Sequence, residues 1–305
     1  MEFSQKPILG VVGLGLIGGS FALACRDAGA TAGVRAWDRS RDALAEGVRR
    51  GVVDEADETL EALLENVDVL LLSAPTMAST ELLGTVLRNR GRVRAITDVA
   101  SVKTPLQQAA QALGVEDARY FVPGHPIAGS ERSGVTAAHG DLFRSHKVIL
   151  TPDSDTHDAA REEVAALWTA VGAQVHYMSV EEHDRVLAAT SHLPHMLAYA
   201  LVDALAASPT RSDIFRFAAG GFRDFSRIAS SDPEMWRDVA LANRGALLET
   251  LDEFEDHLAT LRHYIEEGNG EALEKLFRDA KVVRDEFGRH LERRVRRGSV
   301  ADRRH

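Results

Sequence analysis

The stretch Ile8-Leu9-Gly10-Val11-Val12-Gly13-Leu14-Gly15-Leu16-Ile17-Gly18-Gly19-Ser20 decides the fold. A short apolar strand runs into a glycine loop and then into a helix over Phe21 to Ala28. Gly13, Gly15 and Gly18 form a G-x-G-x-x-G set. The first glycine makes a tight turn, the second lets the backbone approach a pyrophosphate, and the third lets helix and strand pack closely. The helix start offers free N–H groups and the positive end of its dipole to that anion.

The motif alone is shared by many dehydrogenases, and the next segment of the chain supports the reading. Val34-Arg35-Ala36-Trp37-Asp38 reads as a second strand ending in an acid, at the spacing from which a ribose hydroxyl is held. Without the loop, Asp38 would be an ordinary surface acid. A carboxylate there repels a 2′-phosphate and favours NAD. Arg39, Ser40 and Arg41 come directly after it and leave NADP open. The cofactor-binding set is Gly13, Leu14, Gly15, Leu16, Ile17, Gly18, Asp38, Ser73 and Ala74.

Outward from the loop, strand and helix alternate. Arg41 to Arg50 is a polar helix, and Asp68 to Ser73 is a continuous apolar run of the kind buried on both faces of a parallel sheet. Helices are expected over Ala78 to Arg88, Thr104 to Leu113 and Asp158 to Val171. Further strands are expected at Ala95 to Asp98, Tyr120 to Val122, Lys147 to Thr151 and Gln174 to Met178. The pattern predicts an α/β fold with a doubly wound, Rossmann-like parallel sheet over residues 1–178. After Ser179 the strand signals stop, and Val180 to Ala207, Arg211 to Ala219, Pro233 to Leu261 and Gly270 to Leu291 read as helices. Pro194 is expected to kink the first of them. This all-helical part, 179–292, carries more apolar surface than one small bundle covers, which points to a homodimer. A basic stretch over 293–305 reads as a frayed tail.

Composition narrows the function classes. The chain has 305 residues, enough for two cores, and its net charge of −10 argues against nucleic acid as the main partner. No apolar run reaches the roughly 18 residues of a membrane span, and Met1 to Pro7 is too short and polar for a secretory signal. The single cysteine, Cys25, reads as a buried helix residue and allows no disulfide within one chain, which fits a reducing cytoplasm.

Candidate chemistry lies in four places. The long interruption between Val122 and Lys147 contains Gly124-His125-Pro126, read as a rigid turn within a loop over the nicotinamide half of the site. A lone histidine is usually structural. Facing a nicotinamide, His125 is suited to accept a proton from a hydroxyl as hydride leaves the same carbon. Ser101 could donate to that oxygen or orient His125, or simply cap the helix at Thr104-Pro105. His192 and His195 lie three apart, but no carboxylate or cysteine sits near enough in sequence to complete a metal set, so no metal is expected. Arg223, in Gly220-Gly221-Phe222-Arg223-Asp224-Phe225, has a guanidinium suited to a carboxylate ligand, or to an ion pair with Asp224 or Asp232. Trp236 reads as a core residue.

Together, Val12 to Ser20, Asp98-Val99-Ala100-Ser101-Val102-Lys103, Gly124 to Glu131, Ser191-His192-Leu193-Pro194-His195, Gly221 to Asp224 and Ser231 to Asp238 resemble the prephenate/arogenate dehydrogenases of tyrosine biosynthesis, over roughly residues 6 to 290. The resemblance implies a dehydrogenase that oxidises and decarboxylates prephenate or arogenate and dimerises through its helical half. It implies that His125 polarises the ring hydroxyl and that Ser101 hydrogen-bonds near it. His192 is then a substrate-side histidine, Arg223 holds a substrate carboxylate, and Glu131 belongs to a polar network at the site mouth. No fused chorismate mutase is expected ahead of Ile8, and no regulatory domain after the helices. Two rivals stand beside this reading. A 3-hydroxyacid dehydrogenase would want a lysine in the helix Val180 to Ala207, which has none. A non-catalytic NAD-binding sensor would have no use for His125 and Arg223 in one cleft.

Overall fold

The computed structural model describes residues 6–129 and 132–301, so Glu131 lies outside the described residues. The chain divides into two compact units, one ending at Leu247 and one beginning at Leu248.

The first unit opens with β1 (Ile8–Val12), α1 (Leu16–Asp27), β2 (Gly33–Trp37), α2 (Arg41–Arg49), β3 (Glu55–Ala56) and α3 (Leu60–Asn66). It continues through β4 (Val69–Leu72), α4 (Thr76–Arg88), β5 (Ala95–Asp98), α5 (Thr104–Gln111), α6 (Val115–Ala118) and β6 (Phe121–Val122). The six strands form one parallel sheet in the order β3-β2-β1-β4-β5-β6. Side chains of β1 and β4 are buried almost throughout, because both strands are central and helices cover both faces. On one face Phe21, Phe143 and Trp168 pack as an aromatic cluster, with the Phe21 and Trp168 rings 4.4 Å apart. Leu63, Leu83 and Leu106 fill the other face. Local chemistry agrees with the helix starts: the Ser40 hydroxyl accepts from Ala43 N–H (3.2 Å) and the Thr59 hydroxyl from Ala62 N–H (3.1 Å).

The sheet expectation needs one correction. The chain beyond β6 does not extend the parallel sheet. β7 (Gly124–Pro126), β8 (Lys147–Leu150) and, after α7 (Asp158–Ala170), β9 (Gln174–Tyr177) make a separate three-stranded sheet. Here β7 runs antiparallel to β8, with His125 opposite Ile149. Pro123 brings no N–H to continue a ladder, so the pairing with β5 ends at Val122. His125 therefore sits on a strand, not in a turn. Within the long connection, Ala138 packs against Gly19 and the His139 N–H reaches Ser20 Oγ at 3.0 Å. This part of the connection lies along α1 and not over the nicotinamide half.

Next come α8 (Val180–Leu187), a π-helical turn over Ala188–His192, α9 (Leu193–Ala206), α10 (Arg211–Arg216), α11 (Gly220–Ser226) and α12 (Pro233–Ala242). The helix expected to kink at Pro194 is instead divided by that π-turn. The turn ends two residues before Pro194, which occupies the first turn of α9, where a missing N–H costs little. Trp236 and Val239 of α12 bury against Val102 from the loop after β5. The final elements are α13 (Arg244–Glu266) and α14 (Gly270–Ala301). α14 remains helical to Ala301, through most of the stretch expected to fray, and residues 302–305 lie outside the described residues. No helix among the described residues is long and apolar enough to cross a membrane.

Candidate active site

The strand order reverses at β1 and β4, and the crevice at their carboxyl ends is where such sheets hold ligands. Gly13 adopts φ +92°, and a Cβ there would lie 2.6 Å from the amide nitrogen of Ala74. A Cβ on Gly18 would lie 2.5 Å from the Gly13 carbonyl oxygen, so the third glycine is required by close packing. A Cβ on Gly15 would meet nothing within 4 Å. That position borders open space, so its glycine is not required by packing within the protein. Ser73 Oγ donates to the Gly13 carbonyl at 2.6 Å and braces the loop. Helix α1 has no side-chain cap and no acid in its first turn, leaving the N–H groups of Leu16, Ile17 and Gly18 for an anion.

Asp38, half-buried at the end of β2, accepts from Leu14 N–H (2.6 Å) and Ser40 N–H (2.7 Å). These bonds fix its carboxylate beside the loop and leave lone pairs for ribose hydroxyls. Ser40 is already used in capping α2, and Arg41 donates to the Glu58 carbonyl at 3.3 Å. The residues present fit a dinucleotide.

Beside this crevice lies a buried polar network. Lys103 is fully buried. Its ammonium pairs with Asp98 and donates to the Gly124 carbonyl at 2.6 Å. Asp98 also accepts from the N–H groups of Ala100 (2.8 Å) and Gly124 (3.1 Å). The strand carrying His125 is thus tied to the end of β5. Burial pulls Lys103 below the usual lysine range, against the opposing pull of Asp98.

From α8, the Asp184 carboxylate accepts from the N–H groups of Lys103 and Thr104, both at 2.9 Å, and so caps α5 from 80 residues away. Ser101, half-buried, does not serve as that cap. Asp184 also takes the Nδ1 proton of His183 at 2.7 Å, and His183 Nε2 lies 2.9 Å from His125 Nδ1. The direction of these bonds follows from chemistry. A carboxylate only accepts, so His183 carries its proton on Nδ1. Its Nε2 is then a lone pair, so His125 must donate from Nδ1 and hold its own lone pair on Nε2. Burial, followed by the neighbouring His183 and Lys103, holds His125 well below the usual histidine range, and burial lowers His183 too. Asp184 is pushed up by burial, but its bonds from His183 and the α5 start outweigh this and hold it below the usual carboxylate range.

His192, at the end of the π-turn, is buried, and burial pushes it down to about 4. Its Nδ1 lies 3.0 Å from Nδ2 of Asn243. His195 stacks on Trp236 with ring centroids 3.6 Å apart and donates from Nδ1 to the Ser191 carbonyl at 2.8 Å. The two histidines thus have separate hydrogen-bond partners. Arg223 is 81% exposed on α11, 3.4 Å from Asp224, and is not brought into the buried network. Here the single chain departs from the expectation that the guanidinium meets His125. Neither α10 nor α11 buries a residue, so these two helices do not carry Arg223 inward.

Two family models match, "prephenate dehydrogenase, nucleotide-binding domain" over residues 21–177 and "prephenate dehydrogenase, dimerization domain" over residues 179–279. The chain belongs to the prephenate dehydrogenase family. It is therefore an oxidoreductase. Among relatives, it is 34% identical to a cyclohexadienyl dehydrogenase of Zymomonas mobilis, over 90% of this chain and 94% of that one. It is 38% identical to a prephenate dehydrogenase of Bacillus subtilis, over 92% of this chain and 76% of that one. Among solved structures, the prephenate dehydrogenase of A. aeolicus in complex with hydroxyphenyl propionate and NAD+ superposes with a TM-score of 0.85 at 34% identity. That match covers 94% of this chain and all of the other. A Synechocystis arogenate dehydrogenase gives a TM-score of 0.76 at 30% identity, covering 92% and 99%.

His183, Asp184, Asn243 and the buried role of Lys103 were not legible as site features in the sequence. A His-Asp pair at the start of an amphipathic helix looks like solvated polarity. Only its burial, with both residues under 4% exposed, sets it apart.

Proposed function

We propose that this prephenate dehydrogenase family member uses NAD to oxidise and decarboxylate prephenate, with His125 as the proton acceptor. The observation that carries the reading is the Asp184–His183–His125 chain, which leaves a lone pair on His125 Nε2. When bound, NAD supplies the hydride acceptor for the ring carbon that bears the hydroxyl. Gly13 to Gly18, Ser73, Ala74 and Asp38 would hold it, and the carboxylate of Asp38 favours NAD over NADP.

His125 Nε2 takes the hydroxyl proton as that carbon is oxidised. The charge gained is spread through His183 toward Asp184. Rupture of the bond to the ring carboxylate releases CO₂, and its electron pair completes the aromatic ring. His125 then returns the proton to the phenolic oxygen. No net proton is consumed.

Ser101 would donate to the same oxygen, and His192 would face the substrate side chain. Arg223 would hold a substrate carboxylate once a second copy covers its surface. Supporting that dimer are the matched dimerization model and the exposed Phe215, Phe217 and Phe225 around α11. We place the functional halves at 1–178 and 179–292.

Steady-state assays of prephenate and arogenate, each with NAD and NADP, test the reading. Reduced cofactor and CO₂ should form fastest with prephenate and NAD. Absence of both products in all four combinations would refute it. Replacing Arg223 with alanine should raise KM about tenfold or more, with kcat less affected. An unchanged KM would leave Arg223 as the partner of Asp224 alone.

A further inference from the structure

Asn243 is the C-terminal cap of α12 and is 5% exposed. Its amide nitrogen makes two contacts, 2.7 Å to the Asp184 backbone carbonyl and 3.0 Å to His192 Nδ1. A carbonyl oxygen only accepts, so the atom facing it is the NH₂ group and not the amide oxygen. Both amide hydrogens are then committed, one to each contact. His192 Nδ1 must accept, and the imidazole, kept neutral by burial, carries its proton on Nε2.

That Nε2–H is fully buried and has no partner among the described residues. The Trp236 ring, centred 6.1 Å from that of His192, likewise leaves a buried indole N–H without a partner. Two buried donors without acceptors, on rings 6.1 Å apart, are each short of the oxygen that such groups ordinarily find in a folded protein. The contrast with His195 is informative. Its proton is held on Nδ1 by the Ser191 carbonyl, so its Nε2 is a lone pair. Neighbouring histidines are therefore set to opposite polarities by different partners.

We propose that Asn243 is a positioning residue that holds the His192 proton on Nε2, and so sets this side of the site to receive an acceptor oxygen of the substrate side chain in preference to an ammonium group. The keto acid is thereby favoured over its amino counterpart. The inference rests on the reading that His192 faces substrate.

The test uses the full-length protein labelled with ¹⁵N-histidine, with the His192 signals assigned by loss in H192Q. The wild type should show a protonated Nε2 and an unprotonated Nδ1. In N243D the new carboxylate accepts from Nδ1, and the pattern should reverse. A wild-type spectrum with the proton on Nδ1 would overturn the proposal, whether or not N243D folds.

The second measurement is kcat/KM for prephenate and for arogenate, at a pH where the N243D imidazole is neutral by its spectrum. N243D should lose about tenfold or more with prephenate relative to arogenate, mainly through KM, the scale of one lost hydrogen bond. H192Q, whose amide N–H can stand in for Nε2–H, should keep the wild-type ratio, whereas H192L should not. A reversed spectrum with an unchanged substrate ratio would overturn the specificity role of Asn243. An H192L enzyme with unchanged KM for both substrates would instead remove His192 from the substrate site, while the spectrum still decided what Asn243 does to the ring.

Discussion

His125 owes its protonation pattern to two residues that precede it neither in sequence nor on its own strand. Replacing His125 with asparagine removes the base while leaving the glycine loop untouched. The expected result is a fall in kcat of about 10²–10⁴ with NAD affinity retained, measured by turnover and by cofactor titration. Asp184→Asn is more informative. An amide cannot accept from His183, Lys103 and Thr104 as the carboxylate does, because one end of it donates. His183 then loses its preferred tautomer, and kcat should fall about 10²-fold or more, as when an orienting carboxylate is lost from a histidine base. Full turnover with a normal melting temperature would separate Asp184 from the base. His125 was legible as a candidate from its position between Gly124 and Pro126. The relay behind it was not, because its members come from strands and helices that no local pattern connects.

At the scale of the element, the strand–loop–helix unit of β1 and α1 separates packing from binding within one motif. Gly13→Ala should cost about 1–3 kcal/mol of stability, since its φ is +92° and the new Cβ would press on the Ala74 backbone. Gly15→Ala meets no protein atom within 4 Å and should leave denaturant stability near wild type. It should still weaken NAD, because the methyl group stands where the cofactor's backbone approach is needed. Denaturation curves and calorimetric NAD titration of the two variants check the contrast, and equal stability losses would contradict it. This unit is readable from the glycine spacing together with the acid-ended strand that follows it. The antiparallel β7–β8 pair is not, because apolar runs of strand length do not state which sheet they join.

For the whole molecule, buried neutral histidines make stability depend on pH. His192 titrates near 4 in the folded chain, and near 6.5 unfolded. Between these values the unfolded state binds more protons. Stability is therefore fully present above about pH 6.5 and is lost as the pH falls toward about 4. His192 alone contributes about 3 kcal/mol over that window, and His125 and His183, also lowered by burial, add to the slope. Denaturant unfolding from pH 7.5 to 4.5 should show this loss, and H192Q should flatten it. An identical slope in that variant would mean the ring is solvated.

The sequence by itself determined the parts whose physics is local. Glycine spacing, strand length and apolar period specify a dinucleotide-binding sheet followed by helices, because each depends on residues a few positions apart. Tertiary structure alone decided which polar groups share a dry interior. Asp184 reaches the start of α5 across 80 residues and Asn243 reaches Asp184 across 59. Proton positions on a set of imidazoles follow only from which acceptors and donors are brought within 3 Å of them.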